Sequence, residues 1–181
     1  MIVKPEDILD FWFVQSGPKR WFKKSDAFDA EIRLRFEDTT LSLATNIAEW
    51  DTQPESSLAL IIALDQFPRN MYRATKAAFA FDEAALQHAK VMTDRGWDLK
   101  IDQSRRAFVY MPFMHAENMT AQNESVRLID MRLEDANTLH HAKEHRKVIE
   151  RFGRFPHRNA ILGRESTAEE IAFLKSGGYA P

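Results

Sequence analysis

Apolar residues recur every three or four positions along this chain, the rhythm of helices, and no run alternates as a strand would. Pro5 opens a first helix to about Val14, with Ile8, Leu9 and Trp12 on its apolar face. Ser16-Gly17-Pro18 then predicts a turn. Behind a cap at Ser25, Phe28, Ile32, Phe36, Leu43, Ile47 and Trp50 form one long stripe. Thr39 fills a step in that stripe, and Thr39-Thr40 is its weak point. Pro54 opens a third helix, apolar all round through Leu64 and therefore expected at the centre. Phe67-Pro68 should stop it, because proline lacks the amide donor and clashes with the preceding turn.

The second half continues in the same rhythm. Thr75 is placed to cap a fourth helix, with Ala78, Phe81, Ala85, Ala89 and Met92 inward and Gly96 at its end. A fifth is expected from about Gln103 to Glu117, bent at Pro112. A sixth runs from about Ala121 to Leu133, and a seventh from about Asp135 to Phe152, where Gly153 ends it. The last begins in a capping box, Thr167-x-x-Glu170, and ends at Gly177-Gly178. The expected fold class is all-α: about eight helices in antiparallel hairpins, one domain over residues 1–181.

Composition narrows the chemistry. With no cysteine, disulfides, thiol catalysis and cysteine-ligated zinc are excluded. The longest apolar run, Leu58 to Leu64, is far too short to cross a bilayer. The first ten residues, with Glu6, Asp7 and Asp10, have no secretory pattern. A cytoplasmic protein with no membrane partner is expected. A formal net charge of −2 gives no electrostatic case for nucleic acid. The charge is uneven, however. Residues 1–55 hold seven basic and eleven acidic side chains, while residues 146–164 hold six basic and one acidic. Such a basic segment is either a solvated face paired with acids elsewhere or a site for an anion.

The basic segment contains an internal echo. Asp65-Gln66-Phe67-Pro68-Arg69-Asn70 returns in altered form as Gly153-Arg154-Phe155-Pro156-His157-Arg158-Asn159. Each copy follows a strongly patterned helix, and each is followed by a further arginine, Arg73 or Arg164. Arginine rather than lysine suits bidentate contacts to carboxylate or phosphate. Arg69, Asn70, Arg158 and Asn159 would face one anionic ligand if the two turns lie together; otherwise these arginines are helix caps and internal ion pairs. Asp65 lies on the line of the buried helix, at an end where the macrodipole opposes an acid, and so needs a cation such as Arg69 or Arg73. It is either a structural ion pair or an acid held in a cleft. Tyr110, His115 and Glu117 flank Pro112. His141 and His145 have metal-ligand spacing and His157 offers a third nitrogen, but no HExxH motif accompanies them, and neither metal nor cofactor is expected. Phosphate-binding glycine loops and a nucleophile elbow are absent.

Several of these stretches resemble a known family. They are Ile8-Leu9-Asp10-Phe11-Trp12-Phe13, Trp21-Phe22, the Asp65 turn, Tyr110 through Glu117, His145-Arg146, and Phe152 through Thr167. The chain is similar over almost its whole length to the bacterial family called domain of unknown function 924. The resemblance implies an all-α fold like tetratricopeptide helical arrays. It implies no reaction and no catalytic residues. Ala116-Glu117-Asn118 departs from the family's Ser-Glu-Asp. Three functions remain open: a module binding an anionic small molecule or peptide through its arginine turns, a small acid–base enzyme beside those arginines, or a subunit docking on a partner protein.

Overall fold

The computed structural model describes residues 2–46 and 50–180. Helix α1 (Pro5–Leu9) continues as a π-helical segment, Asp10–Ser16, and is followed by α2 (Pro18–Trp21) and α3 (Asp26–Leu43). Helix α4 (Pro54–Ile61) passes through a second π-helical segment, Ile62–Gln66, into α5 (Phe67–Met71). A 3-10 turn, Lys76–Phe79, precedes α6 (Asp82–Asp94), and another, Asp98–Lys100, precedes α7 (Gln103–His115). Helices α8 (Met119–Arg132) and α9 (Ala136–Phe152) follow, then a 3-10 turn, Pro156–Arg158, α10 (Asn159–Leu162) and α11 (Ala168–Lys175). Among the described residues there is no strand, and the fold is an all-helical array.

The central position of α4 follows from its composition. Every residue from Leu58 to Leu64 is fully buried, and α4 packs on α1, α6 and α7. From α6 to α9 each helix packs against the next in chain order, while α3 lies on α5. Aromatic rings fill the space between α1, α3 and α5: Phe11 meets Phe36 at 4.9 Å between centroids, and Phe36 meets Phe67 at 4.8 Å. A second, smaller cluster of Val148, Ile149 and Phe155 lies beneath the C-terminal segment, joined by Phe152, Phe173 and Tyr179.

Three expectations are corrected. The helix from Pro54 does not stop at Phe67-Pro68. The π-helical segment lets the Phe67 amide reach back to the Ile62 carbonyl, and Pro68 falls in the first turn of α5, where an amide donor is not needed. Thr75 does not cap α6; its hydroxyl donates to the Tyr72 carbonyl at 2.8 Å, and α6 starts seven residues later. The long stripe from Phe28 runs straight through Thr39 and Thr40 but ends as helix at Leu43, and Trp50 reaches the core from a turn. Ile47, assigned to that stripe, lies outside the described residues.

Caps behave as their sequences suggest. Asn118 accepts from the Ala121 amide, and Asp135 from those of Asn137 and Thr138. Gly153 closes α9 with φ of 69°, a left-handed conformation that favours glycine. The Thr167 hydroxyl accepts from the Glu170 amide while the Glu170 carboxylate accepts from the Thr167 amide. Thr167→Ala is expected to cost about 1 kcal/mol, read as a fall of roughly 2–4 °C in melting temperature.

Candidate functional site

Asp65 enters the core from the π-helical segment and is fully buried. Its carboxylate accepts from Gln66 at 2.6 Å and from His115 Nδ1 at 2.8 Å, and Arg69 Nη1 lies 3.5 Å away. Burial alone would raise the Asp65 pKa, but Arg69 and His115 hold it well below the usual carboxylate range. Arg69 is one helical turn on, so it shares Asp65's face. Its fork grips Asp82 with both nitrogens, at 2.8 and 3.0 Å, and also donates to the Asp65 carbonyl at 2.6 Å.

His115 ends α7. Its place is fixed from α8 by Gln122, whose buried amide donates to the carbonyls of Met114 and Ala116 at 2.7 and 2.8 Å. A carboxylate can only accept, so the proton of the neutral ring sits on Nδ1. Nε2 is left as an acceptor, with no partner among the described residues. Burial and then the charge of Arg69 lower the His115 pKa. His145 of α9 stands next to it, ring centroids 6.3 Å apart. It donates from Nδ1 to the His141 carbonyl at 2.8 Å, and burial pushes its pKa down to about 3.

The second copy of the echoed turn brings in Arg158. It is 5% exposed, the level of a core residue, yet among the described residues its side chain makes a single, long hydrogen bond, Nη1 to Asp82 at 3.4 Å. Its Nε has no partner among them. The guanidinium lies 4.6 Å from the ring centroids of both Phe79 and Phe155. Burial, then the neighbouring Arg69, pull its pKa down to about 10. His157 is alongside, half-buried, with Nδ1 unpartnered and its pKa lowered by burial to about 4.

These contacts close on themselves. From Asp65 they run to His115, to His145, to Phe155, whose ring centroid is 5.6 Å from that of His145, to Arg158, to Asp82, to Arg69, and back to Asp65. Arg69, Asp82, His115 and His157 keep partial exposure, so the ring reaches the surface. Two surface clefts of about 350 and 360 Å³ lie elsewhere, one by Trp50 and Gln53 and the other by Arg33 and Leu34.

The sequence candidates divide. Asp65, Arg69, His115, His157 and Arg158 come together here. Asn70 and Arg73 face the opposite way, both donating to Asp29 of α3 at 2.8 Å and 2.7–2.9 Å. Tyr110 is buried on Asp98, to which its hydroxyl donates at 2.7 Å beside Arg132. Glu117, Arg154, Asn159 and Arg164 form the frame behind the turn. Arg164 grips Glu117 with both nitrogens, and Glu117 also accepts from the Phe155 amide. Arg154 grips Glu170, which also accepts from Asn159. Asp82, Phe155 and His145 complete the ring without having been assigned to it, and Phe79 packs on Arg158 from outside it. Asp82 carries no signal in the sequence, since an acid in the first turn of a helix is ordinary. Among the described residues no group of three His, Cys, Asp or Glu side chains is placed to hold a metal, and His141 turns instead to the Tyr179 hydroxyl, 2.8 Å away. No helix among them is long and apolar enough to cross a membrane.

Comparison with known proteins adds a family and a fold. The family model described as bacterial protein of unknown function (DUF924) matches residues 8–178. A solved structure from Agrobacterium tumefaciens, the protein of unknown function ATU0120, is 44% identical with a TM-score of 0.91, over 96% of this chain and 97% of that one. No curated protein matches.

Proposed function

The chain belongs to the DUF924 family, whose description names no activity, and from the site's own chemistry we propose that it binds a small oxyanion, a carboxylate or a phosphate group, at Arg158. One observation carries this reading: a buried guanidinium that, among the described residues, makes a single long hydrogen bond and leaves its Nε without a partner. A buried charge with open donors is expensive to maintain, and buried polar groups are ordinarily paired. Arg69 pairs with both Asp65 and Asp82 and Arg164 with Glu117, whereas Arg158 has only a share of Asp82. Phe79 and Phe155 hold its plane, which presents a fixed fork to an incoming oxyanion. Arg69 and the ring nitrogens of His115 and His157 flank it.

The test is a thermal-shift series with inorganic phosphate, sulfate and small carboxylates. A compound present at about a hundred times its dissociation constant adds roughly 2.7 kcal/mol. In a domain of this size that raises the melting temperature by on the order of 5–10 °C. Arg158→Met should lose the shift, and Arg158→Lys should weaken it, since an ammonium cannot reproduce the planar fork. An undiminished shift in the Met variant would exclude Arg158 as the binding group.

A further inference from the structure

Resting on that reading, we propose that the oxyanion enters together with a proton, which His115 takes up on Nε2 and holds in a hydrogen bond to the bound anion. Arg158 and His115 are then the two anchors of a single ligand that has at least two oxygen atoms.

The placement of His115 supports this. Its Nδ1 proton is committed to the buried Asp65 carboxylate, so only Nε2 is free to react, and Nε2 has no partner among the described residues. The side chain is 16% exposed, so the ring is in contact with solvent. His115 and Arg158 belong to one network, joined through Asp65, Arg69 and Asp82 on one side and through His145 and Phe155 on the other. A carboxylate behind an imidazole fixes its orientation and stabilises the imidazolium once it forms.

Charges facing His115 come from every element around it. Asp65 lies in the π-helical segment, Arg69 in α5, Asp82 at the start of α6, His145 in α9 and Arg158 in the following 3-10 turn. Glu117, two residues beyond, is occupied by Arg164. Burial and then Arg69 lower the His115 pKa despite Asp65, a shift that favours the neutral ring. A bound anion adds a negative charge and a hydrogen-bond acceptor, both of which favour the protonated ring. The proton comes from solvent and returns there when the anion leaves. By linkage, affinity rises as pH falls through the His115 pKa of the complex. It levels off below that of the free protein, gaining tenfold for each unit between the two.

Sulfate is the probe, because its charge does not change between pH 5 and 9. Titration calorimetry at pH 6 in buffers of different ionisation enthalpy should give heats that reveal proton uptake, and sulfate affinity should fall at least tenfold from pH 5.5 to pH 8. His115→Asn keeps an amide donor for Asp65 and has nothing to titrate. It should show no proton uptake on binding sulfate and a flat pH profile. Wild-type heats independent of buffer, or equal proton uptake in the Asn variant, would overturn the inference while leaving the oxyanion site standing. Absence of sulfate binding at every pH would remove both.

Discussion

Arg158→Met is expected to stabilise the protein while abolishing anion binding. Replacing buried ionic groups by well-packed apolar side chains of similar volume is often neutral or stabilising by about 1–4 kcal/mol, provided no partner is orphaned. The conditions for gain are met here. The guanidinium forms one hydrogen bond of 3.4 Å, while Asp82 keeps Arg69 and is not orphaned by the change. A methionine thioether between Phe79 and Phe155 makes favourable contacts with both rings. Denaturant unfolding at pH 7 should therefore show a higher midpoint with an unchanged slope. Arg158→Ala should lack the gain, because it leaves a void between the rings. Loss of more than 1 kcal/mol in the Met variant would mean that the charge serves the fold, as the counter-ion of Asp82 and Glu117. Stability given up at one position in exchange for binding is a common signature of a functional residue.

Asp65→Ala should act in the opposite sense, and strongly. It strips the carboxylate from beneath Arg69 and His115 in a fully buried place, and breaking one side of such a pair typically costs 3–5 kcal/mol. The melting temperature should fall by roughly 10 °C or more. The pH dependence follows from the sign of the shift. Asp65 titrates lower in the folded protein than its unfolded value of about 3.9, so its contribution is complete above that value. It is lost as pH falls through the folded-state value. The gap between wild type and Asp65→Asn should thus be full at pH 7 and narrower at pH 3. A gap independent of pH would show that packing, not charge, holds this position.

Helix positions were readable because each amphipathic face repeats locally, and caps such as Thr167-Glu170 and Gly153 act within a few residues of themselves. Pro68 misled for a reason that also scrambled the site. As a helix stop, it would have left Arg69, Asn70 and Arg73 together in a loop, free to converge. The π-helical segment carries the helix past it, and helical phase then separates them. Arg69 stays over Asp65, while Asn70 and Arg73, three apart, turn to Asp29 on α3. Arg158 stood out through the echo of the first turn, although its weak pairing could only be seen in three dimensions. Asp82, which joins the two arginines, is 13 residues from one and 76 from the other, and neither spacing leaves a local trace.

The same spacing governs how the site comes into being. Asp65, Arg69, Asp82 and His115 ride on helices that surround the main core, whereas Phe155 and Arg158 belong to the segment resting on the small cluster of Val148 and Ile149. The 76-residue separation of Asp82 and Arg158 costs more entropy to close than the 13 residues between Arg69 and Asp82, and Arg158 sits on the unit that rests on the smaller cluster. Such a unit can open as one cooperative piece while the rest of the molecule stays folded. The free energy of that opening, rather than of global unfolding, then sets how often the site is complete.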